Sequence, residues 1–117
     1  MALILCIGID PELIATRRLI LESAGHTVVS TMGQRELEDA CAEQRFDVAI
    51  IGEAMSSKVK RWACQLIREN CPSARVLELH PPYAGKSLND ADAWLAMPTQ
   101  HPEDLEKTVN SLVAQRR

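Results

Sequence analysis

Side chains that could do chemistry follow several apolar stretches in this sequence. Asp10 and Glu53 each come after a long apolar run, and His80 and Met97 end two later ones. Carboxylates and imidazoles are the groups that bind divalent cations or transfer protons. Nothing in the sequence supplies a nucleophile or partner base for His80, so we expect a structural or solvated histidine.

The segment HPPYAGKS, residues 80–87, imitates the end of a phosphate-binding loop. His80 stands where such a loop has its first glycine. Pro81 and Pro82 lack the N–H donors that a phosphate cradle needs, and no long helix follows. We therefore expect no nucleotide site. The three histidines are not at metal-ligand spacing.

Four cysteines are scattered along the chain, at Cys6, Cys41, Cys64 and Cys71, without a C-x-x-C pair. The sequence predicts reduced, small core residues and no metal site. Cys71, near a predicted helix end, is the one we expect to be exposed.

The composition describes one domain, residues 1–117. The net charge is −3, 46% of residues are apolar, 25% are charged and only 3% are aromatic. A nucleic-acid binder usually carries a basic stripe, which this chain lacks. The apolar amino terminus is too short for a membrane span and has no basic leader, so we expect a cytoplasmic protein without nucleic-acid or membrane partners.

Apolar runs and helical periodicity alternate along the chain. Asp10 is a predicted N-cap with Pro11 in the first helical position, and Gly25 is a predicted helix-ending residue. The third helix has a predicted apolar face of Val59, Trp62, Ala63, Leu66 and Ile67. The predicted strands cover 3–9, 27–31, 46–51, 75–79 and 93–96, and the predicted helices cover 11–23, 33–44, 58–70 and 103–115.

Residues 80–91 are weakly patterned and have room for one helical turn at most. The last helix has an acidic first turn and a basic end at Arg116 and Arg117, which suits the helix dipole.

Strands separated by helices indicate a doubly wound α/β domain with a parallel sheet covered on both faces. Function in such sheets concentrates at the carboxyl ends of the strands.

Five segments of the chain form a recognisable series: LCIGIDP (5–11), LESAGHTV (21–28), RFDVAIIGEAM (45–55), LIRENCP (66–72) and DAWLAMP (92–98). In this order and at this spacing, they resemble the receiver domain of bacterial response regulators over essentially the whole chain. The resemblance implies a CheY-like, flavodoxin-like sheet of five parallel strands in the order 2-1-3-4-5, with a shortened fourth helix.

The resemblance also implies a phosphorylation pocket, and here that pocket is degenerate. A receiver needs a carboxylate nucleophile, an acidic pair for Mg²⁺, a hydroxyl and a lysine. The nucleophile position reads Gly52, the acidic pair reads Gly8 and Ile9, the hydroxyl reads His80 and the lysine reads Met97. A receiver with these residues has no aspartyl acceptor and no metal site.

The resemblance also suggests roles for four further features, and for three of these residues two interpretations stay open. Asp10 and Glu53 are either a residual metal pair or shifted acceptor, or a helix cap and a solvated loop acid. Trp94 stands at the family's aromatic switch position and is either a contact surface, together with Tyr83, or a tryptophan packed at a strand edge. The Met97–Pro98 bond aligns with a position that is commonly cis.

The sequence thus predicts a non-enzymatic, non-phosphorylatable receiver-like signalling module without a cofactor, working through protein–protein contact. Its partner would be a signalling protein or another regulator domain, and homodimerisation is a further option. One alternative is a small-molecule sensor that uses the emptied crevice. Another is an atypical receiver phosphorylated on Glu53.

Overall fold

The computed structural model describes residues 1–115; Arg116 and Arg117, where a basic helix end is predicted, lie outside them. Five parallel strands form one sheet in the order β2-β1-β3-β4-β5, which confirms the predicted topology. The elements are β1 (Leu3–Ile7), α1 (Pro11–Ser23), β2 (Thr27–Thr31), α2 (Gln34–Glu43), β3 (Val48–Ile51), α3 (Ser57–Asn70), β4 (Arg75–His80), β5 (Ala93–Ala96) and α4 (Asp104–Ala114).

Both faces of the sheet are buried, as the unbroken apolar runs predict. Alternate residues of a strand point to opposite faces. In β1, Leu5 and Ile7 join a core cluster with α2 and α3, whereas Ile4 and Cys6 join a second cluster with α1 and α4. A strand covered on both sides therefore reads as continuously apolar, without alternation.

The predicted ends of α1 are confirmed. Asp10 is the N-cap, and its Oδ1 accepts a hydrogen bond from the Glu12 amide at 3.0 Å. Pro11 occupies the first helical position, where a missing N–H costs nothing. Gly25 has a φ of 91°, the left-handed conformation that ends helices and that glycine adopts without strain.

Within the described residues, the segment between β4 and β5 contains turns and no helix. The prediction of a shortened fourth helix at this place is therefore wrong. Pro81 and Pro82 open the segment and disfavour helical backbone in the residues before them. Leu88 and Ala91 are buried in the core cluster of α2 and α3, so this loop covers the face that a helix would otherwise cover.

Two predictions of burial are wrong. Cys71, expected to be exposed, is buried because it caps α3 against the core. On α3 itself, Val59 is 41% exposed and the neighbouring Lys60 is buried instead, because Lys60 pairs with Glu78 of β4. In residues 1–115, no helix has the length and apolarity to cross a bilayer.

Candidate functional site

Five of the predicted site residues meet at one crevice. Gly8, Ile9 and Asp10 follow β1, while Gly52 and Glu53 follow β3. Because β1 and β3 are adjacent and parallel, their carboxyl ends lie side by side, and the Gly52 amide donates to the Ile7 carbonyl at 2.8 Å. The crevice that the sequence predicts at this edge of the sheet is therefore present.

An arginine that the sequence analysis did not assign to the site enters this crevice. Arg17 lies on the buried row of α1 between Ile14 and Leu21, and its Nη2 donates to Glu53 Oε1. The side chain of Arg17 is 6% exposed and that of Glu53 is 16% exposed. Glu53 is thus a paired, largely buried acid, and the expectation of a solvated loop carboxylate is wrong.

The guanidinium also occupies the space next to Gly52. A β-carbon built on Gly52 would lie 3.5 Å from Arg17 Nη1 and 3.1 Å from the Ile7 carbonyl oxygen. The second distance is tighter than ordinary contact, so the backbone around Gly52 is closely packed. A side chain at position 52 would therefore project into space that Arg17 already fills.

The crevice is filled by its own residues. Leu13 and Ile14 of α1 and Ala54 after β3 complete its lining. Between these side chains there is no cavity that a water molecule could enter. Ile9 faces outward and is exposed at the rim. The arrangement is a filled crevice that contains one ion pair.

Magnesium does not fit these residues. Mg²⁺ requires several oxygen ligands, usually carboxylates and waters. Gly8 and Ile9 offer no side-chain oxygen, Asp10 uses one carboxylate oxygen to cap α1, and the positive Arg17 already neutralises Glu53. Across residues 1–115, no group of three or more histidine, cysteine or acidic side chains is placed to hold a metal ion.

The other two predicted pocket residues lie apart from this crevice. His80 ends β4, and its Nδ1–H donates to the Pro81 carbonyl at 3.0 Å. Met97 follows β5, its amide donates to the His80 carbonyl at 2.8 Å, and its side chain packs on the core cluster of α1 and α4. The Met97–Pro98 bond is cis, as expected. His80 and Met97 are neighbours of each other, but neither lines the crevice that holds Arg17.

Trp94 is held in place on β5. Its indole Nε1 donates to the Leu88 carbonyl at 2.8 Å, and its ring packs partly into the core cluster of α2 and α3. The Lys86 ammonium lies 4.2 Å from the ring centroid, within range of a cation–π contact. Tyr83, in the same loop, is 91% exposed. Trp94 of β5 is thus held in place beside Lys86, and Tyr83 of the preceding loop is exposed.

A buried ion pair anchors that loop. Lys60 Nζ donates to Glu78 Oε2 at 2.9 Å and to the Leu79 carbonyl at 2.7 Å. The same carboxylate accepts the Ser87 amide at 2.9 Å and the Leu88 amide at 2.8 Å. Burial alone raises the pKa of Glu78, but the hydrogen bonds from Lys60, Leu88 and Ser87 outweigh it and bring the pKa below its ordinary value of 4.5.

The sequence analysis missed Arg17, Lys60 and Glu78. The sequence contains a weak indication of each, because each charged residue lies among apolar residues on a strand or on the apolar face of a helix. Charges at such positions are rarely fully buried without a partner. The sequence could flag them as needing partners, but it could not say which partners they have.

Comparisons with known proteins identify the fold. No protein-family model matches the chain, and neither does any curated protein. Among solved structures, the receiver domain of the sensor histidine kinase PA1611 from Pseudomonas aeruginosa PAO1 superposes with a TM-score of 0.78 at 16% identity, covering 97% of this chain and 98% of that one. That structure has a magnesium ion coordinated in its active-site cleft.

Two further receivers are similarly close. The chemotaxis response regulator CheY4 of Vibrio cholerae matches with a TM-score of 0.79 at 24% identity, over 96% of this chain and 98% of that one. The response regulator TrrA of Thermotoga maritima, solved in complex with the histidine kinase ThkA, matches with a TM-score of 0.75 at 18% identity, over 96% and 98%. The chain has the fold of response-regulator receiver domains.

Proposed function

We propose that this protein is a receiver-like signalling module that does not accept a phosphoryl group and acts through contact with a protein partner. The observation that carries the proposal is the Arg17–Glu53 pair beside Gly52. In a receiver, this place requires a carboxylate nucleophile and a bound cation. Here the nucleophile position has no side chain, and a tethered guanidinium lies next to it.

The chemistry of the crevice supports the first half of the proposal. Phosphoryl transfer to a carboxylate needs a free nucleophilic oxygen and a cation that neutralises the incoming phosphate oxygens. Glu53 is the remaining acid near the nucleophile position, and its Oε1 accepts from Arg17. Asp10 caps α1. We therefore propose a module that has no enzymatic role and binds no cofactor.

The loop before β5 supports the second half. Tyr83 is almost fully exposed, and aromatic residues are enriched where proteins contact each other. Trp94 is fixed by Leu88 and Lys86, so a contact surface around it would be preorganised. The neighbour TrrA, with the same fold, was solved bound to a histidine kinase. We propose a signalling protein or another regulator domain as the partner, in the cytoplasm of a bacterium.

The two alternatives from the sequence find less support. A small-molecule sensor needs an open pocket with convergent polar groups, whereas the crevice is filled. Phosphorylation of Glu53 would place a dianion next to the carboxyl end of β3 and would require Arg17 to release the carboxylate. Phosphorylation of Glu53 is one outcome of the mass experiment that follows.

The decisive experiment is intact-mass analysis after incubation with acetyl phosphate and Mg²⁺. A receiver with an intact acidic pocket serves as the positive control. We expect no change in mass while the control gains one phosphoryl group. A gain by this protein would overturn the proposal, and repeating the reaction with Glu53→Gln would show whether Glu53 is the acceptor.

The contact surface is tested by quantitative affinity capture from the source cells, comparing wild type with Tyr83→Ala. Leu19→Ala is the matched control, because Leu19 is an exposed apolar residue on α1, away from the loop. We expect a specific protein to be retained by wild type and the control but lost by Tyr83→Ala. Retention by all three proteins would remove Tyr83 from the partner surface.

A further inference from the structure

Two cysteines meet where α2 and α3 end. Cys41 lies in the last turn of α2, and Cys71 is the C-cap of α3. The Cys71 thiol lies 3.8 Å from the Cys41 carbonyl oxygen and 3.9 Å from the Gln44 carbonyl oxygen. The Cys71 sulfur atom therefore lies against the residue that carries the second thiol.

The other two cysteines are placed differently. Cys6 belongs to the core cluster of α1 and α4, so the sheet separates it from Cys41 and Cys71. Cys64 is two helical turns before Cys71 on α3, and its thiol donates to Asp90 Oδ1 at 3.8 Å. The geometry thus singles out one pair among the four cysteines.

Both cysteines line a surface groove. The groove has a volume of about 530 Å³, and its wall includes Gln44, Arg45 and Pro72 as well as both cysteines. Both cysteines are buried residues, yet both line the groove. A small oxidant in the groove therefore comes up to both residues without the sheet opening.

We propose that Cys41 and Cys71 form a reversible disulfide that ties the end of α2 to the end of α3 under oxidising conditions. With hydrogen peroxide as the oxidant, one thiolate attacks an oxygen, hydroxide leaves as water after protonation, and a sulfenic acid forms. The second thiol attacks that sulfur and displaces a second water. Two thiols are oxidised to one disulfide, and one peroxide is reduced to two waters.

The consequence is a covalent loop between two residues 30 positions apart. A cross-link of this kind stabilises a fold, mainly by restricting the unfolded chain. The cysteine pair lies apart from the crevice that holds Arg17. Oxidation would therefore change the protein without involving that crevice. Burial raises the pKa of Cys41 to about 12, with the neighbouring Cys71 adding to the effect, so the reaction is slow at neutral pH and faster at higher pH.

The test is oxidation of the native protein with hydrogen peroxide, from neutral to mildly alkaline pH, followed by intact-mass analysis and peptide mapping. We expect the loss of two hydrogen atoms, a peptide cross-linked between Cys41 and Cys71, and reversal by dithiothreitol. The oxidised protein should also melt at a higher temperature than the reduced one.

Cysteine variants supply the controls. Cys41→Ala and Cys71→Ala should each abolish the cross-link, whereas Cys6→Ala and Cys64→Ala should keep it. Circular dichroism verifies that each variant folds, and peptide mapping of the wild type remains informative if one does not. The proposal is wrong if all four thiols of the native protein stay reduced over the whole pH range, if oxygen is added without cross-linking, or if the bond involves Cys6 or Cys64.

Discussion

The Arg17 guanidinium of α1 is paired with the Glu53 carboxylate after β3, and both side chains are largely buried at the carboxyl ends of β1 and β3. The two residues are 36 positions apart in the chain. Under the proposed function, this pair supplies a fixed positive charge in place of the cation that a receiver with an intact pocket binds. The charge of Arg17 compensates the largely buried carboxylate of Glu53. Positions 8, 9 and 52 have no acidic side chain, so Glu53 needs no bound cation.

Replacing Arg17 with methionine should destabilise the protein by about 2 kcal/mol, because it leaves Glu53 largely buried without its partner. The measurement is urea unfolding followed by circular dichroism. Arg18→Met is the matched control, since Arg18 pairs with Glu22 on the exposed side of the same helix. That change should cost less than about 0.5 kcal/mol.

The double variant Arg17→Met/Glu53→Gln should recover part of the lost stability, because it removes the unpaired charge. Equal losses of unfolding free energy for Arg17→Met and Arg18→Met would show that the burial of the Arg17–Glu53 pair makes no measurable contribution to stability.

Restoring an acid at the nucleophile position should not restore phosphorylation. In Gly52→Asp, the new side chain starts beside Arg17 Nη1 and would pair with it, and positions 8 and 9 still lack carboxylates for Mg²⁺. Intact mass after treatment with acetyl phosphate and Mg²⁺ should therefore stay unchanged. Gly33→Asp, at the N-cap of α2, is the control for adding an acid elsewhere. A phosphoryl gain in Gly52→Asp alone would show that Arg17 does not block the site.

The buried Glu78 should make stability depend on pH in the acid range. Its folded-state pKa is lowered, so it contributes stability above its ordinary pKa of 4.5 and loses that contribution as the pH falls through the lower folded-state value. Glu78→Gln should cost about 3 kcal/mol at neutral pH, because Lys60 is left buried without its counter-charge. The gap between wild type and Glu78→Gln should then narrow as the pH falls below about 4.5.

This is measured as urea unfolding at a series of pH values. Glu22→Gln controls for the loss of an acid from an exposed ion pair, and its curve should stay parallel to that of the wild type. If the stability of Glu78→Gln also ran parallel to that of the wild type over the pH series, Glu78 would not be the source of the predicted pH dependence.

Trp94 should stabilise the loop through its indole N–H as well as its ring. Trp94→Phe removes the hydrogen bond to the Leu88 carbonyl and should cost about 1 kcal/mol beyond the smaller loss of apolar area. Far-UV circular dichroism during urea unfolding measures this without relying on tryptophan fluorescence. Tyr83→Phe, in the exposed part of the same loop, should leave stability unchanged. A loss for Tyr83→Phe equal to that for Trp94→Phe would mean that the hydrogen bond is not the cause.

Local patterns determined most of the fold. The apolar runs predicted β1 and β3, because a strand covered on both faces must be continuously apolar. The β-branched residues of 27–31 predicted β2. Asp10, Pro11 and Gly25 marked the ends of α1, since capping depends on residues only a few positions apart. The spacing of the five receiver-like segments predicted the strand order, and the resemblance placed Gly8 and Gly52 at one crevice.

Only the tertiary structure decided how buried charges and thiols are partnered. Arg17 meets Glu53 because β1 and β3 are neighbours, and Lys60 meets Glu78 because α3 packs beneath β4 and the loop that follows it. The contact between the ends of α2 and α3 likewise buries Cys71, which the sequence had placed at the surface. Each pairing joins residues from different elements, and its energy depends on distance and burial in space, which residue spacing along the chain does not encode.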